Sequence, residues 1–85
     1  MGISMTARVY VTPKSTVLDP QGQTIRAALN AHGHASVKDV RQGKYFEIRL
    51  ADGLDAAAAT AELDLIARDV LSNPVIEDYR VELQP

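Results

Sequence analysis

The chain has 85 residues, of which 46% are hydrophobic and 24% charged, the composition of one globular domain. A net charge of −2 argues against a general nucleic-acid binder, and the absence of cysteine excludes disulfides, thiolate metal sites and a cysteine nucleophile. No apolar run reaches the ~18–20 residues of a membrane span, so we expect a soluble, cytoplasmic chain.

The first part of the chain predicts a strand followed by a helix. Residues 1–6 show no period and are expected to be a loose N-terminus, with residues 7–85 forming a single domain. Within that domain Ala7–Thr12 alternates apolar and polar residues, which is typical of a half-buried strand. A helix over residues 20–32 follows, because Asp19 before a proline is a strong N-cap signal.

The central stretch Val37–Leu50 is rich in strand-forming residues and admits two conformations. In one, Gln42-Gly43 is the tight turn of a hairpin. In the other, the segment is one long bent strand with Gly43 as a bulge. A hairpin that opens in this way is also a route to segment exchange between two chains, which makes Gly43 a candidate for self-association.

The second part predicts another helix and a last strand. Asp52-Gly53 indicates a turn, and Asp55 caps a helix that runs to about Ser72. Its main apolar stripe is expected to face the core and consists of Ala59, Leu63, Ile66, Ala67 and Val70. A narrower stripe on the opposite side is either ordinary exposed surface or a contact with another subunit: Ala58, Ala61 and Leu65. Alternation resumes at Glu77, which predicts the final strand.

These elements predict an α+β fold without repeats or linkers. With the hairpin closed, the order is β-α-β(β)-α-β, a two-layer ferredoxin-like sandwich with the helices on one face of the sheet. With the hairpin open, the long bent central strand allows segment exchange in a dimer. A domain this short buries only about 60–65% of its unfolded surface, which favours an accessory or binding module over a self-sufficient enzyme.

Catalytic and metal-binding patterns are missing from the sequence. His32 and His34 are the only histidines and have no cysteine to complete a site, so we interpret them as ordinary helix-end residues. No serine lies in a glycine-flanked elbow, and the glycines match no phosphate-binding loop. Glu77 and Asp78 are neighbours in a strand and face opposite sides, which argues against an acid/base pair.

Three cations surround the aromatic residues of the central stretch: Arg41, Lys44 and Arg49. The order Gly43-Lys44-Tyr45-Phe46 lacks the spaced aromatic residues that stack nucleic-acid bases. We interpret the group as a solvated basic rim, which can also meet an acidic surface on a protein partner.

Three stretches together resemble one family. Leu18–Gly22 opens the first helix, Asp39–Tyr45 lies in the central stretch, and Asn73–Tyr79 follows the second helix. In this order and spacing they resemble PurS, the small subunit of phosphoribosylformylglycinamidine (FGAM) synthase, from Ala7 to Leu83. The first five residues have no counterpart in the family pattern.

The resemblance implies a non-catalytic accessory subunit of a ligase complex in de novo purine biosynthesis. Such a subunit dimerises, or pairs further into tetramers, and bridges a large synthase subunit and a glutaminase subunit. It binds no cofactor or metal, while the synthase subunit uses ATP and magnesium. The residues expected to dock the partners are Arg41, Lys44, Asn73, Glu77 and Tyr79. The alternative hypothesis is a ferredoxin-like regulatory module that binds a small metabolite.

Overall fold

The computed structural model describes residues 5–84. It contains strand β1 (Thr6–Pro13), helix α1 (Pro20–Ala31), strand β2 (Lys44–Arg49), helix α2 (Ala56–Ile66) and strand β3 (Glu77–Gln84). A π-helical turn, Ala67–Leu71, extends α2. Most of the expected loose N-terminus lies outside the described residues, but Thr6 already belongs to β1. None of the helices within residues 5–84 is long and apolar enough to cross a membrane.

The three strands form one antiparallel sheet in the order β2-β1-β3. The α+β class and the succession strand, helix, strand, helix, strand are confirmed. The hairpin is not closed within the chain, because residues 37–43 belong to no strand. The closed form would place those residues beside β2; instead, no described strand lies along the outer edge of β2.

The core lies between the sheet and α2. Every second residue of β1 faces inward, so Ala7, Val9 and Val11 are completely buried. From α2 and the turn after it, Ala59, Leu63 and Ala67 reach the same layer and are also completely buried. Partly buried side chains pack around Val9, Val11 and Ala67 and complete the core: Phe46, Ile48, Leu71, Tyr79 and Val81.

The π-helical turn changes which residue of the second helix faces the sheet. The N–H of Ser72 donates to the carbonyl of Ala67 at 3.0 Å, five residues back, and the Ser72 hydroxyl donates to the same oxygen at 2.8 Å. A five-residue bond adds one residue to the turn and rotates the following side chains. The prediction that Val70 belongs to the core is therefore wrong: Val70 is 74% exposed, and Leu71 packs inward in its place.

Helix α1 stands away from the rest of the protein. Gly22 is its only buried residue, and the helix makes no extensive contact with the sheet or with α2. The Cα radius of gyration is 16.7 Å, against about 12 Å for a compact chain of this length, and the long axis measures 53 Å. Only one of the two helices expected on the sheet face therefore lies there, because the segment between α1 and β2 does not turn back.

Candidate functional site

The three stretches that carry the family resemblance meet at one end of the sheet. Since β1 runs antiparallel to both neighbours, its last residue Pro13 lies at the same end as Lys44, which begins β2, and Glu77, which begins β3. Helix α1 also begins there. Together these segments enclose a cleft of 270 Å³, whose lining includes Leu18, Asp19, Gln42, Lys44, Ile76 and Glu77.

Asp19 joins the start of α1 to the segment that precedes β2. One carboxylate oxygen accepts from the Gln42 N–H at 2.8 Å, and the other accepts from the Gly22 N–H at 3.0 Å. These two hydrogen bonds, the one from Gln42 above all, lower the pKa of Asp19 below its ordinary value of 3.8. Asp19 is thus an ionised connector and a poor general base at neutral pH.

Two glycines allow the backbone segments around the cleft to approach closely. A Cβ added at Gly22 would overlap the carbonyl oxygen of Val40, and one added at Gly43 would overlap that of Val11. Both obstacles are main-chain atoms, which cannot rotate away as a flexible side chain does. The role of Gly43 in self-association stays a prediction. The close approach of the Val11 carbonyl is by itself a sufficient reason for a glycine at this position.

The guanidinium of Arg41 is held by the loop between β1 and α1. It donates to the main-chain carbonyl oxygens of Lys14 at 3.1 Å, Ser15 at 3.1 Å and Val17 at 2.8 Å. Its Nε lies 3.6 Å from the carboxylate of Asp39. Arg41 therefore fixes the path of this loop. The planar guanidinium, with its several N–H donors in fixed directions, binds these carbonyls better than a lysine ammonium would.

Asn73 and Glu77 close the turn between α2 and β3 on itself. The Asn73 N–H donates to the Glu77 carboxylate at 2.8 Å, and the Glu77 N–H donates to the Asn73 carbonyl at 2.8 Å. The Asn73 side-chain oxygen accepts from the Val75 N–H at 3.1 Å, which is an Asx-type turn. Both predicted docking residues thus have structural partners.

Tyr79 and Lys44 differ in how far they are engaged. The Tyr79 hydroxyl donates to Asp64 of α2 at 2.7 Å, and this bond is the main cause of the raised pKa of Tyr79. The Lys44 ammonium lies 3.8 Å from the Glu77 carboxylate, and its side chain is 58% exposed, against 16% for that of Glu77. Among the five predicted docking residues, Lys44 is the one whose charged group is most available to a partner.

The predicted self-association residues do not form one surface. Gly43 lines the cleft, whereas Ala58, Ala61 and Leu65 are exposed on α2 and do not line it. The two histidines are exposed at the C-terminal end of α1, and no group of three or more potential metal ligands occurs within residues 5–84.

Exposed apolar side chains at the cleft were missed by the sequence reasoning. Leu18 is 67% exposed and Ile76 is 43% exposed, and both line the cleft. Val75, immediately before Ile76, is 79% exposed. The sequence did contain a signal for them: these large apolar residues lie beside the turn-forming pairs Asp19-Pro20 and Asn73-Pro74. Turns do not require large apolar neighbours, so such residues indicate a contact surface.

Comparison with known proteins identifies the family. The family model described as "PurS: Phosphoribosylformylglycinamidine (FGAM) synthase" matches residues 6–85. The chain belongs to the PurS family. The phosphoribosylformylglycinamidine synthase subunit PurS of Mycobacterium leprae is 45% identical over 75 residues, which are 88% of this chain and 90% of that protein. PurS of Bacillus subtilis is 38% identical over 81 residues, covering 91% and 89% of the two chains.

Solved PurS structures share the arrangement described above. A crystal structure of B. subtilis PurS has a TM-score of 0.80 and 36% identity, covering 95% of this chain and 99% of that one. A chain in the structure of PurLQS from Thermotoga maritima has a TM-score of 0.85 and 27% identity, with 96% and 99% covered. The family resemblance drawn from the three stretches is confirmed.

Proposed function

We propose that this chain is the small, non-catalytic subunit of FGAM synthase in de novo purine biosynthesis. The complex converts formylglycinamide ribonucleotide, ATP and glutamine into formylglycinamidine ribonucleotide, ADP, phosphate and glutamate, in the cytoplasm. The large synthase subunit uses ATP and magnesium, and the glutaminase subunit releases ammonia. The observation that carries the proposal is the correspondence, over 96% of this chain, with a subunit of PurLQS from T. maritima.

The proposed task is to hold two active sites in register. Ammonia released into water at neutral pH mostly takes up a proton and loses its nucleophilic electron pair. Transfer between subunits therefore needs a fixed, solvent-excluding arrangement of the two sites. A short chain with a 53 Å long axis suits this bridging role without chemistry of its own.

We propose the end of the sheet that carries the cleft as the docking region. Arg41, Asn73, Glu77 and Tyr79 act there by fixing the shape of the loops and strands, since each has partners within the chain. Lys44 acts through its exposed charge, which can orient an acidic partner surface.

We further propose that the chain dimerises by exchanging its central segment. Two features support this: no described strand covers the outer edge of β2, and Phe46 and Ile48 on that side of the sheet are only partly buried. In this dimer, residues 37–43 of a second copy would cover the outer edge of β2. Helix α1 of that copy would cover the side chains of Phe46 and Ile48. The α2 stripe of Ala58, Ala61 and Leu65 remains for pairing of dimers into a tetramer.

The test is reconstitution from three purified subunits with substrate, ATP and glutamine. Glutamine-dependent FGAM formation and a larger complex in size-exclusion chromatography should both require this chain. Lys44→Glu should weaken assembly, whereas Arg80→Glu, at an exposed cation on β3 that does not line the cleft, serves as the matched charge-reversal control. Full glutamine-dependent activity without the chain would contradict the proposal, and so would binding of an amino acid or nucleotide with no affinity for the other subunits.

A further inference from the structure

Residues 40–43 run on beyond the first residue of β2 and do not turn back along its outer edge. A Cβ added at Gly43 would overlap the carbonyl oxygen of Val11, which places this residue beside β1. One added at Gly22, in the first turn of α1, would overlap the carbonyl oxygen of Val40. The segment before β2 therefore leads past the end of β1 to the start of α1.

Two side chains tie this segment to the loop between β1 and α1. The guanidinium of Arg41 donates to three main-chain carbonyl oxygens of the loop, those of Lys14, Ser15 and Val17. Asp19, at the end of the same loop, accepts from the N–H of Gln42 at 2.8 Å. The bonds thus join the two connections between α1 and the sheet, residues 14–19 and residues 32–43.

A hairpin closed within one chain is incompatible with the bonds of Arg41. Its turn would be Gln42-Gly43, so Arg41 would lie beside Lys44 on the outer edge of β2. Neighbouring strands are about 4.8 Å apart, and Arg41 would then lie about 10 Å from the line of β1, with β2 in between. At that distance the guanidinium cannot stay among the three carbonyls of the loop, so these bonds belong to the open form.

The choice between the open and the closed form is therefore decided at the hinge. An exchanged dimer makes between two chains the contacts that a closed monomer makes within one, so these contacts favour neither form. Association itself costs translational and rotational entropy, which favours the closed monomer at low concentration. The hydrogen bonds of Arg41 and Asp19 oppose this cost, because they hold residues 40–43 in the open path.

We propose that Arg41 and Asp19 form a hinge lock that keeps residues 37–43 open, so that this segment pairs with β2 of a second copy instead of its own. The inference rests on the exchanged dimer of the proposed function and deepens it by naming the residues that direct the exchange. A second copy fits as the partner because no described strand covers the outer edge of β2. The same copy would bury α1, which within one chain buries only Gly22.

The experiment measures the dimer dissociation constant of the purified chain by sedimentation equilibrium. Arg41→Ala removes three hydrogen bonds of the open form and should raise the Kd at least about tenfold. The matched control is Arg80→Ala, at an exposed arginine of β3 that does not line the cleft and takes no part in the hinge lock. It should change the Kd by less than about twofold.

A second variant favours the closed form directly and leaves both residues of the hinge lock in place. Gln42→Asn gives the pair Asn-Gly, the strongest signal for a two-residue hairpin turn, and should raise the Kd at least about fivefold. Gln42→Ala removes the same side chain without favouring a turn and should leave the Kd within about twofold of the wild type. In the Gln42→Asn monomer, amide hydrogen exchange should find residues 37–41 protected, since they pair with the chain's own β2.

The outcomes separate this inference from the proposed function. A wild-type chain that stays monomeric at all concentrations overturns the exchanged dimer and this inference with it, while reconstitution tests the role in FGAM synthase separately. A wild-type dimer whose Kd is unchanged in both Arg41→Ala and Gln42→Asn overturns only the inference. So does a Gln42→Asn monomer in which the amides of residues 37–41 exchange freely. If Arg41→Ala unfolds, the comparison of Gln42→Asn with Gln42→Ala decides.

Discussion

Two regions of the molecule are held in place by different forces. The sheet body comprises the three strands, α2 and the π-helical turn; the arm comprises α1 and residues 32–43. The body buries complete side chains such as Val9, Val11 and Leu63. The arm buries one glycine and depends on hydrogen bonds that Asp19 accepts and Arg41 donates. Apolar burial stabilises the body, whereas the polar bonds set the direction of the arm and leave its surface uncovered.

The difference is the reason that we propose the arm as the segment exchanged between two chains. An isolated helix of 12 residues is marginal in water, and α1 has almost no tertiary contact to support it. In the proposed dimer, a second copy would supply additional burial for α1. The body has no such need on the α2 side, where its core is already complete.

The largest expected effect comes from removing apolar volume in the body. Leu63→Ala should lower the free energy of unfolding by about 2–5 kcal/mol, because the side chain is completely buried against the sheet. Urea denaturation monitored by circular dichroism measures the change. The control is Val70→Ala, which should cost less than about 0.5 kcal/mol. Equal losses for the two variants would contradict the rotation of side chains that the π-helical turn produces.

A smaller and more local effect is expected at the junction of the two regions. Gly22→Ala raises helix propensity, but the new Cβ overlaps the Val40 carbonyl oxygen, and the backbone there must move. We expect amide hydrogen exchange in α1 to accelerate at least about tenfold, while the amides of β1 keep their protection.

The matched control for this junction is Gln23→Ala, at an exposed position in the same turn of α1. It should leave exchange in α1 within about twofold of the wild type. Uniformly faster exchange in α1 and β1 after Gly22→Ala would show that the arm and the body unfold as one unit and are not held separately.

The smallest expected effect is a loosening of the arm in acid. Because the pKa of Asp19 is lowered in the folded chain, its contribution to stability is complete above the ordinary value of 3.8 and is lost as the pH falls through the lowered value. The amide proton shifts of Gly22 and Gln42, followed by NMR, should titrate together with a midpoint below 3.8. Asp19→Asn should abolish both titrations; independent midpoints for the two amides would contradict a shared carboxylate.

Local signals in the sequence predict most of the elements. Alternation located β1 and β3, and Asp19 and Asp55 as N-caps located the starts of both helices, since each of these signals acts within a few residues. The extra residue in the π-helical turn left no comparable signal. The 3.6-residue period therefore placed Val70 inside the core, although Leu71 packs there.

Long-range contacts explain what the sequence did not reveal about the site. The docking role of Arg41 stays a prediction, and the sequence did not reveal that its guanidinium donates to carbonyls that lie 24 to 27 residues earlier in the chain. The cleft itself joins three segments distant in sequence, so its lining follows only from the register of the sheet. The stretches shared with PurS were recognised as a set, and four of their polar side chains hold the chain's own backbone: Asp19, Arg41, Asn73 and Glu77.

The elongated shape affects how the sequence of this small protein can evolve. Within one chain, whose long axis is 53 Å, α1 makes no extensive contact with α2. Substitutions at such distant positions should have additive free-energy effects. Selection on one contact surface is then largely independent of selection on the other.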